Sequence, residues 1–377
     1  MRDIKDITVF TNGDSTKISF WSNVPYFFTT SMEKKGIRVN RVDISPNDLY
    51  RKIFNRTVKV LLNKIYKGKN TYDYYRSYIH FLDTRIRIKN AIKRFPQSDA
   101  YVFLTFSISA VKLTKKPIIQ FCDWTYDHYF QYFENRKPNF FELRCVNREN
   151  HQINGSDIVF SLFPSVSEYM KEKYISKVVY LGNVINSIQK STENEILNTK
   201  ANSEKILFIG SAKYIEGAKA LIQAFIILKK KYPSMSLHLV GLSKLQFKQI
   251  PKDVFCYGYL DKADNKQRNI YYQLLKEAKV FVNTTPKWSA FSASIEAMYF
   301  YTPVIVPAYE EFTRTFGTNF IGGDFCDDNS ILENKIESIF EDKSYNQICI
   351  NANKLVKEFT WESYIDKLLL EIENCSQ

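Results

Sequence analysis

The sequence is short of several things, and each shortage removes a class of protein. It has no run of about 18 apolar residues, which argues against a membrane-crossing helix. Its first residues, MRDIKDITVF, lack the apolar centre of a signal peptide and read instead as a first strand. The six cysteines are scattered without a C-x-x-C pair, so neither a disulfide framework nor a cysteine metal site is expected, and the thiols read as reduced in a cytoplasmic protein. Four histidines spread along the chain offer no histidine-rich metal centre. There is no internal repeat, no low-complexity tract and no recognised nucleic-acid-binding motif. Glycine is scarce, at 12 residues in 377, while lysine, asparagine and isoleucine are abundant. Part of the net charge of +13 therefore reflects a general compositional bias, and part favours an anionic partner. Hydrophobic residues at 45% and charged residues at 25% describe a globular chain, long enough for two domains.

What is present alternates. ITVF, IRVNRVDI, AYVFLTF, PIIQFCD, DIVFSLF and VVYLGN are short apolar, β-rich runs separated by longer segments of helical spacing. Phe54, Val58, Leu61 and Ile65 fall on one helical face. Residues 186–204 are polar and read as a linker. The alternation then resumes with KILFIG, SLHLVG, VFCYGY, VFVNTT and PVIVP, and with Leu221, Phe225, Leu228 and Tyr232 on another helical face. Strand–helix alternation predicts parallel sheets covered by helices. The expected architecture is α/β with two doubly wound domains, residues 1–189 and 190–355. Ligands of such sheets bind beyond the carboxyl ends of the strands. The candidate loops are NGDSTKISFWSN, CDWTYDHYF, GSAKYIEG and TTPKWSAFSAS.

PKWSAFSASIEAM, residues 286–298, places one acid, Glu296, among small, aromatic and apolar residues. Together with ILFIGSAKYIEGAKALIQAFIILKKKYPSMSLHLVG, VFCYGYLDK and the closing FTWESYIDKLLLEI, this stretch resembles family 4 glycosyltransferases of the GT-B fold. FWSNVPYFFTTSMEKKGIRV is similar to the family's opening strand–loop–helix. The resemblance implies two Rossmann-like domains facing each other across a cleft, an acceptor-binding one first and a nucleotide-sugar-binding one second. It implies that the last helix, 356–377, packs back on the first domain.

The same resemblance assigns candidate residues. For the donor they are Gly210, Ser211, Lys213, Lys219, Tyr257, Gly258, Trp288, Ser289, Phe291, Ser292, Ala293, Ser294 and Glu296. The small residues let a diphosphate approach a helix N-terminus, whose free N–H groups favour anions, and Glu296 accepts hydrogen bonds from the ribose. Asp123 and His128 are the catalytic candidates; Trp21, Ser22, Asn23, Trp124 and Asp127 are acceptor-side candidates. The chain also departs from the family pattern. Trp288, Ser289 and Ala290 stand where a second acid is common. Ser211 and Glu216 stand where an arginine and a lysine usually hold phosphate, and Lys213 and Lys219 are their nearest substitutes. Cys122 replaces a histidine beside Asp123.

The implied activity is sugar transfer, with retention of configuration, from a nucleotide-diphosphate sugar to a glycan or lipid-linked acceptor, without a cofactor or dedicated metal site. The setting would be bacterial surface polysaccharide synthesis. Residues 51–70 carry seven basic residues and no acid, and 85–94 add more, a pattern suited to a helix lying on an anionic membrane. A cytoplasmic protein, peripheral on the inner face of the plasma membrane, is expected, with no nucleic-acid partner. The alternatives are a nucleotide-sugar epimerase of related fold and a non-catalytic sugar- or nucleotide-binding subunit.

Overall fold

The computed structural model describes residues 4–18, 21–190, 192–285 and 291–375. Twelve strands are described: β1 (Asp6–Thr11), β2 (Arg38–Asp43), β3 (Ala100–Phe103), β4 (Ile118–Cys122), β5 (Ile158–Ser161), β6 (Lys177–Tyr180), β7 (Lys205–Ile209), β8 (Ser236–Val240), β9 (Val254–Gly258), β10 (Val280–Val282), β11 (Val304–Val306) and β12 (Gly323–Phe325). The α-helices, in chain order, are α1 (Val24–Lys34), α2 (Asp48–Arg56), α3 (Val58–Ile65), α4 (Tyr78–Arg94), α5 (Tyr126–Tyr129), α6 (Phe140–Asn154), α7 (Pro164–Lys173), α8 (Glu193–Ala201), α9 (Ile215–Leu228), α10 (Asn265–Glu277), α11 (Phe291–Tyr299), α12 (Glu310–Phe316), α13 (Leu332–Glu341), α14 (Tyr345–Val356) and α15 (Trp361–Cys375).

Two compact units result, one of Met1–Asn183 with Trp361–Gln377 and one of Val184–Thr360. The boundaries expected at 189/190 and 355/356 thus fall at 183/184 and 360/361. The second shift has a local cause: α14 runs to Val356, and the Phe359 carbonyl then accepts from the Ile185 N–H, which ties residues 356–360 to the second unit.

Each unit is built on one parallel sheet of six strands. The first has the order β2-β1-β3-β4-β5-β6 and the second β12-β11-β10-β7-β8-β9. Most inner strands are largely apolar because helices cover both faces, and β1, β3, β5, β10 and β11 are buried throughout, whereas the edge strands β2 (RVNRVD) and β12 (GDF) are not. Helix α15 closes the first unit. The Trp361 ring stacks on Phe27 of α1 with centroids 6.4 Å apart, and Lys35 pairs with Asp366 at 2.6 Å. The order reverses between β1 and β3 in the first sheet and between β7 and β10 in the second. Those reversals are where open α/β sheets form ligand crevices.

Two sequence expectations fail here. The polar linker at 186–204 contains α8, anchored by buried Ile196 and by Lys200, which is itself buried; its ammonium donates to the carbonyls of Leu275 (2.7 Å) and Ala278 (2.9 Å) and to Thr302 Oγ1 (2.7 Å). The single helical face drawn through Phe54, Val58, Leu61 and Ile65 is broken at Thr57, between α2 and α3. Most of it is turned to solvent: Val58, Leu61 and Ile65 are exposed.

Candidate functional site

In the second unit, β7 ends at Ile209, Gly210 and Ser211 follow it, and α9 starts at Ile215. No side chain caps α9 among the described residues; the Ile215 N–H already donates to the Ala212 carbonyl of the preceding turn, and the next N–H groups of the first turn lie at the carboxyl edge of the sheet. Gly241, at the end of β8 with φ +89°, lies against Gly210: a Cβ there would meet the Gly210 carbonyl oxygen at 2.5 Å. Gly217, in the first turn of α9, packs on the segment after β10. A Cβ would stand 2.6 Å from Thr285 Oγ1 and 2.9 Å from the Thr285 nitrogen. Backbone thus forms the floor of the β7–β10 reversal. Beside it sit Asn283 and Thr284, both buried, whose Nδ2 and Oγ1 have no hydrogen-bond partner among the described residues. The Asn283 amide can donate, and the Thr284 hydroxyl can donate or accept, a further hydrogen bond. Sequence reasoning read NTT as a strand end and missed both; a polar pair closing an apolar strand at a reversal is the signal that could have found them.

Helix α11 follows β10 and carries the isolated acid. Glu296 is 4% exposed, and its carboxylate is already engaged. Lys262 donates to both oxygens, at 2.7 and 2.9 Å, and to the Asn186 carbonyl at 3.1 Å. The Tyr271 hydroxyl donates to Oε2 at 2.7 Å. Burial and the neighbouring Glu296 charge push the Tyr271 phenol well above its ordinary pKa, which keeps it a donor. The resemblance gave Glu296 to the ribose of a donor; the structure binds its carboxylate within a lysine–tyrosine pocket, with one acceptor position left on Oε1. Lys262, in the VFCYGYLDK run, escaped notice because its partner lies 34 residues away.

The remaining donor-side candidates divide. Ser292 is exposed, Ala293 half-buried and Ser294 buried, all in the first turn or so of α11. Phe291 is a core residue, with its ring 5.9 Å from that of Phe312 and 6.1 Å from that of Phe316. Lys213 is exposed, its ammonium 5.0 Å from the Tyr214 ring centroid, and Lys219 pairs with Glu216 at 2.8 Å on the surface of α9. Tyr257 and Gly258 lie on β9, separated from β7 by β8. The Tyr257 hydroxyl bonds His238 Nδ1 at 2.8 Å, and Gly258 exchanges backbone bonds with Gly241 and Leu242. Trp288 and Ser289 fall outside the described residues.

In the first unit, the loop after β1 ends in an unusual backbone. Trp21, Ser22 and Asn23 all have positive φ, at 41°, 51° and 69°, immediately before α1. The Trp21 ring packs edge-on against Phe121 of β4. After β4, Asp123 accepts from the Trp124 N–H at 2.9 Å and from the Cys122 thiol. Thr125 caps α5, and His128 stacks on Trp124 with centroids 5.1 Å apart while its ring lies 4.5 Å from that of Tyr169, tilted by 38°. Asp127 is held by Lys173 and Tyr169. The loop rests on Glu149 of α6, a buried carboxylate that accepts from the Tyr126 N–H and from Ser107 Oγ; burial pushes its pKa up. Glu149 is another residue the sequence did not announce. Asp123, Trp124 and His128 are thus neighbours on one loop, while Asp127 is committed to α7.

Among the described residues, no cluster of three or more His, Cys, Asp or Glu side chains is placed to hold a metal ion, and no helix is long and apolar enough to cross a membrane.

Two Rossmann-like α/β units in one chain define the fold class, and solved glycosyltransferases share it. The chain is similar to a sucrose-phosphate synthase from Thermosynechococcus elongatus, with a TM-score of 0.69 and 14% identity over 98% of each chain. It is similar to WaaG, a glycosyltransferase involved in lipopolysaccharide biosynthesis, with a TM-score of 0.65 and 12% identity over 96% of this chain and 98% of that one. It is also similar to Anabaena Alr3699/HepE, solved with UDP and glucose, with a TM-score of 0.63 and 13% identity over 98% and 100%. At these identities the likeness is one of fold. Residues 189–356 match the sequence model of the family described as glycosyl transferases group 1. Comparison with curated protein sequences gives no match.

Proposed function

We propose that the protein is a glycosyltransferase that uses a nucleotide-diphosphate sugar and binds it at the β7–β10 reversal of the second unit. The family match over residues 189–356 and the fold support this reading. The observation that carries it is the juxtaposition of the α9 N-terminus, which no side chain caps among the described residues, the bare backbone at Gly210, Gly217 and Gly241, and the buried Asn283 Nδ2 and Thr284 Oγ1, which have no hydrogen-bond partner among the described residues. A helix N-terminus with close backbone access suits a diphosphate. Asn283 and Thr284 offer it, or the sugar, further hydrogen bonds. Glu296 takes the ribose through its remaining acceptor position. Transfer proceeds with retention: the acceptor hydroxyl attacks from the face the diphosphate leaves, and the diphosphate takes its proton. The helix end and nearby lysines stabilise the leaving charge, without a dedicated metal ion. The acceptor is a glycan or lipid-linked saccharide that meets Asp123 and the Trp124–His128 stack. The reaction belongs to surface polysaccharide synthesis on the cytoplasmic side of the plasma membrane.

A thermal-shift screen with UDP, other nucleoside diphosphates and their sugars tests this. A donor at 100 times its Kd adds about 2.7 kcal/mol of stability. Absence of any shift across the set refutes donor binding. The second reading, a non-catalytic binding subunit, is favoured by the engagement of Glu296 with Lys262 and Tyr271. It predicts a thermal shift without release of nucleoside diphosphate, whereas the transferase releases it on adding acceptor.

A further inference from the structure

Most of the apolar residues that the first unit exposes are gathered on three helices. α2 buries no side chain and α3 buries only Leu62. Their apolar residues keep helical spacing yet face solvent: Leu49 and Ile53 on α2, then Val58, Leu61 and Ile65 on α3, the last two 58% and 59% exposed. α4 buries His80, Thr84, Ile88 and Ala91 and turns Ile79, Leu82 and Ile86 outward, with Lys89 and Lys93 continuing the same face. The turn at Tyr74–Arg76 packs on both α2 and α4, so the three helices adjoin. Single exposed apolar residues are ordinary; a gathering of this size marks an interaction surface.

We propose that this face docks the protein on an anionic lipid bilayer, with its leucine and isoleucine side chains in the acyl boundary and its lysines at the headgroups. The charge chooses the occupant. Residues 51–70 hold seven basic groups and no acid, and Lys52, Lys64 and Lys69 are exposed. A second copy would set this charge against itself, which like-charge repulsion disfavours. A nucleic acid would neutralise the lysines but leave the apolar band in water. A bilayer with acidic headgroups satisfies both halves, and Tyr50, Tyr75 and Tyr78, all exposed, are suited to its interfacial zone. Among the described residues no helix is long and apolar enough to cross a membrane, and the proposed face would lie along the bilayer surface. The proposal does not depend on the transferase reading and gives that reading a location.

The test is co-sedimentation of the full chain with vesicles of phosphatidylcholine alone or mixed with phosphatidylglycerol. Wild type is expected on the mixed vesicles only. Lys52→Glu, Lys64→Glu and Lys69→Glu together should weaken binding by about a hundredfold or more, at about fivefold per basic residue. Leu61→Ser, Ile65→Ser and Ile86→Ser together should weaken it by about a hundredfold or more with the charge intact. Because all six residues are exposed, thermal midpoints and nucleotide-induced shifts should stay as in wild type. A Leu61→Trp variant should blue-shift on the vesicles. Failure of wild type to bind, binding unchanged in either triple variant, retention of a DNA fragment in place of vesicles, or a dimer that the serine variant dissolves would each overturn the proposal. Vesicle binding without any nucleotide shift would instead refute the transferase reading alone.

Discussion

Both units bury a glutamate in a helix between consecutive strands, and they satisfy it in opposite ways. Glu296, between β10 and β11, faces the ammonium of Lys262 with both oxygens. Glu149, between β4 and β5, meets only neutral donors, the Tyr126 N–H and the Ser107 hydroxyl, and no ion pair is described for it. An ion pair offsets burial by Coulomb attraction and collapses if one partner goes. A carboxylate held by dipoles keeps part of the desolvation cost, which is why burial raises the Glu149 pKa. The two acids also anchor different things. Lys262 links Glu296 to Asn186, near the start of the second unit, whereas Glu149 holds the loop that carries Asp123 and His128.

Removing one partner of the pair should have the largest effect. Lys262→Met strands a buried carboxylate and should cost the second unit about 3–5 kcal/mol, read by urea denaturation. Adding Glu296→Leu should recover most of the loss, since a well-packed apolar pair is often as stable as a buried ionic one; a double variant no better than the single would show that Lys262 acts elsewhere.

Lys200 is the cationic counterpart of Glu149, buried against two carbonyls and a hydroxyl. Burial pulls its pKa down to about 7. Its folded pKa lies below the unfolded value of about 10.4, so the unfolded chain binds more protons between those limits. Stability should therefore rise with pH from 7 toward 10, by up to about 1.4 kcal/mol per pH unit. Denaturation midpoints at pH 7 and pH 9 measure the slope, and Lys200→Met should flatten it.

The dipole-held acid should respond more mildly. Glu149→Leu orphans the Tyr126 N–H and should cost about 1–3 kcal/mol. Glu149→Gln, which keeps an acceptor, should cost less than about 1 kcal/mol and leave the near-UV signal of Trp124 unchanged. A large loss on Glu149→Gln would mean that its charge matters and would erase the contrast with Glu296.

Acid should act on a different group. Burial lowers the His238 pKa to about 4, so its contribution, present above about pH 6.5, is lost as pH falls toward 4. His238→Gln should reduce the acid sensitivity of the denaturation midpoint across that window.

Most strands were legible because buried parallel strands are continuous apolar runs. β12 was not, being three half-buried residues, Gly-Asp-Phe. α8 hid in a polar stretch because only a few of its side chains, Ile196 and Lys200 among them, turn inward. The break at Thr57 depends on backbone angles with no local marker, since neither glycine nor proline stands there. At the candidate site, the lone acid in an apolar helix could be read from spacing. Its lysine and tyrosine could not, because tertiary folding alone brings residues 262, 271 and 296 together. Phe291 shows the converse: its place in a motif suggested a contact residue, whereas packing makes it core.

Trp21, Ser22 and Asn23 leave one further consequence. Each side chain sits in a left-handed backbone that glycine adopts freely and that costs other residues about 1–2 kcal/mol. The loop is thus a place where the sequence is not the most stable one for its own shape. Ser22→Gly should raise the melting temperature, and an engineer seeking a sturdier protein would begin there. If the same change weakens acceptor use, the indole, hydroxyl and amide carried on this turn are what the strained backbone exists to present.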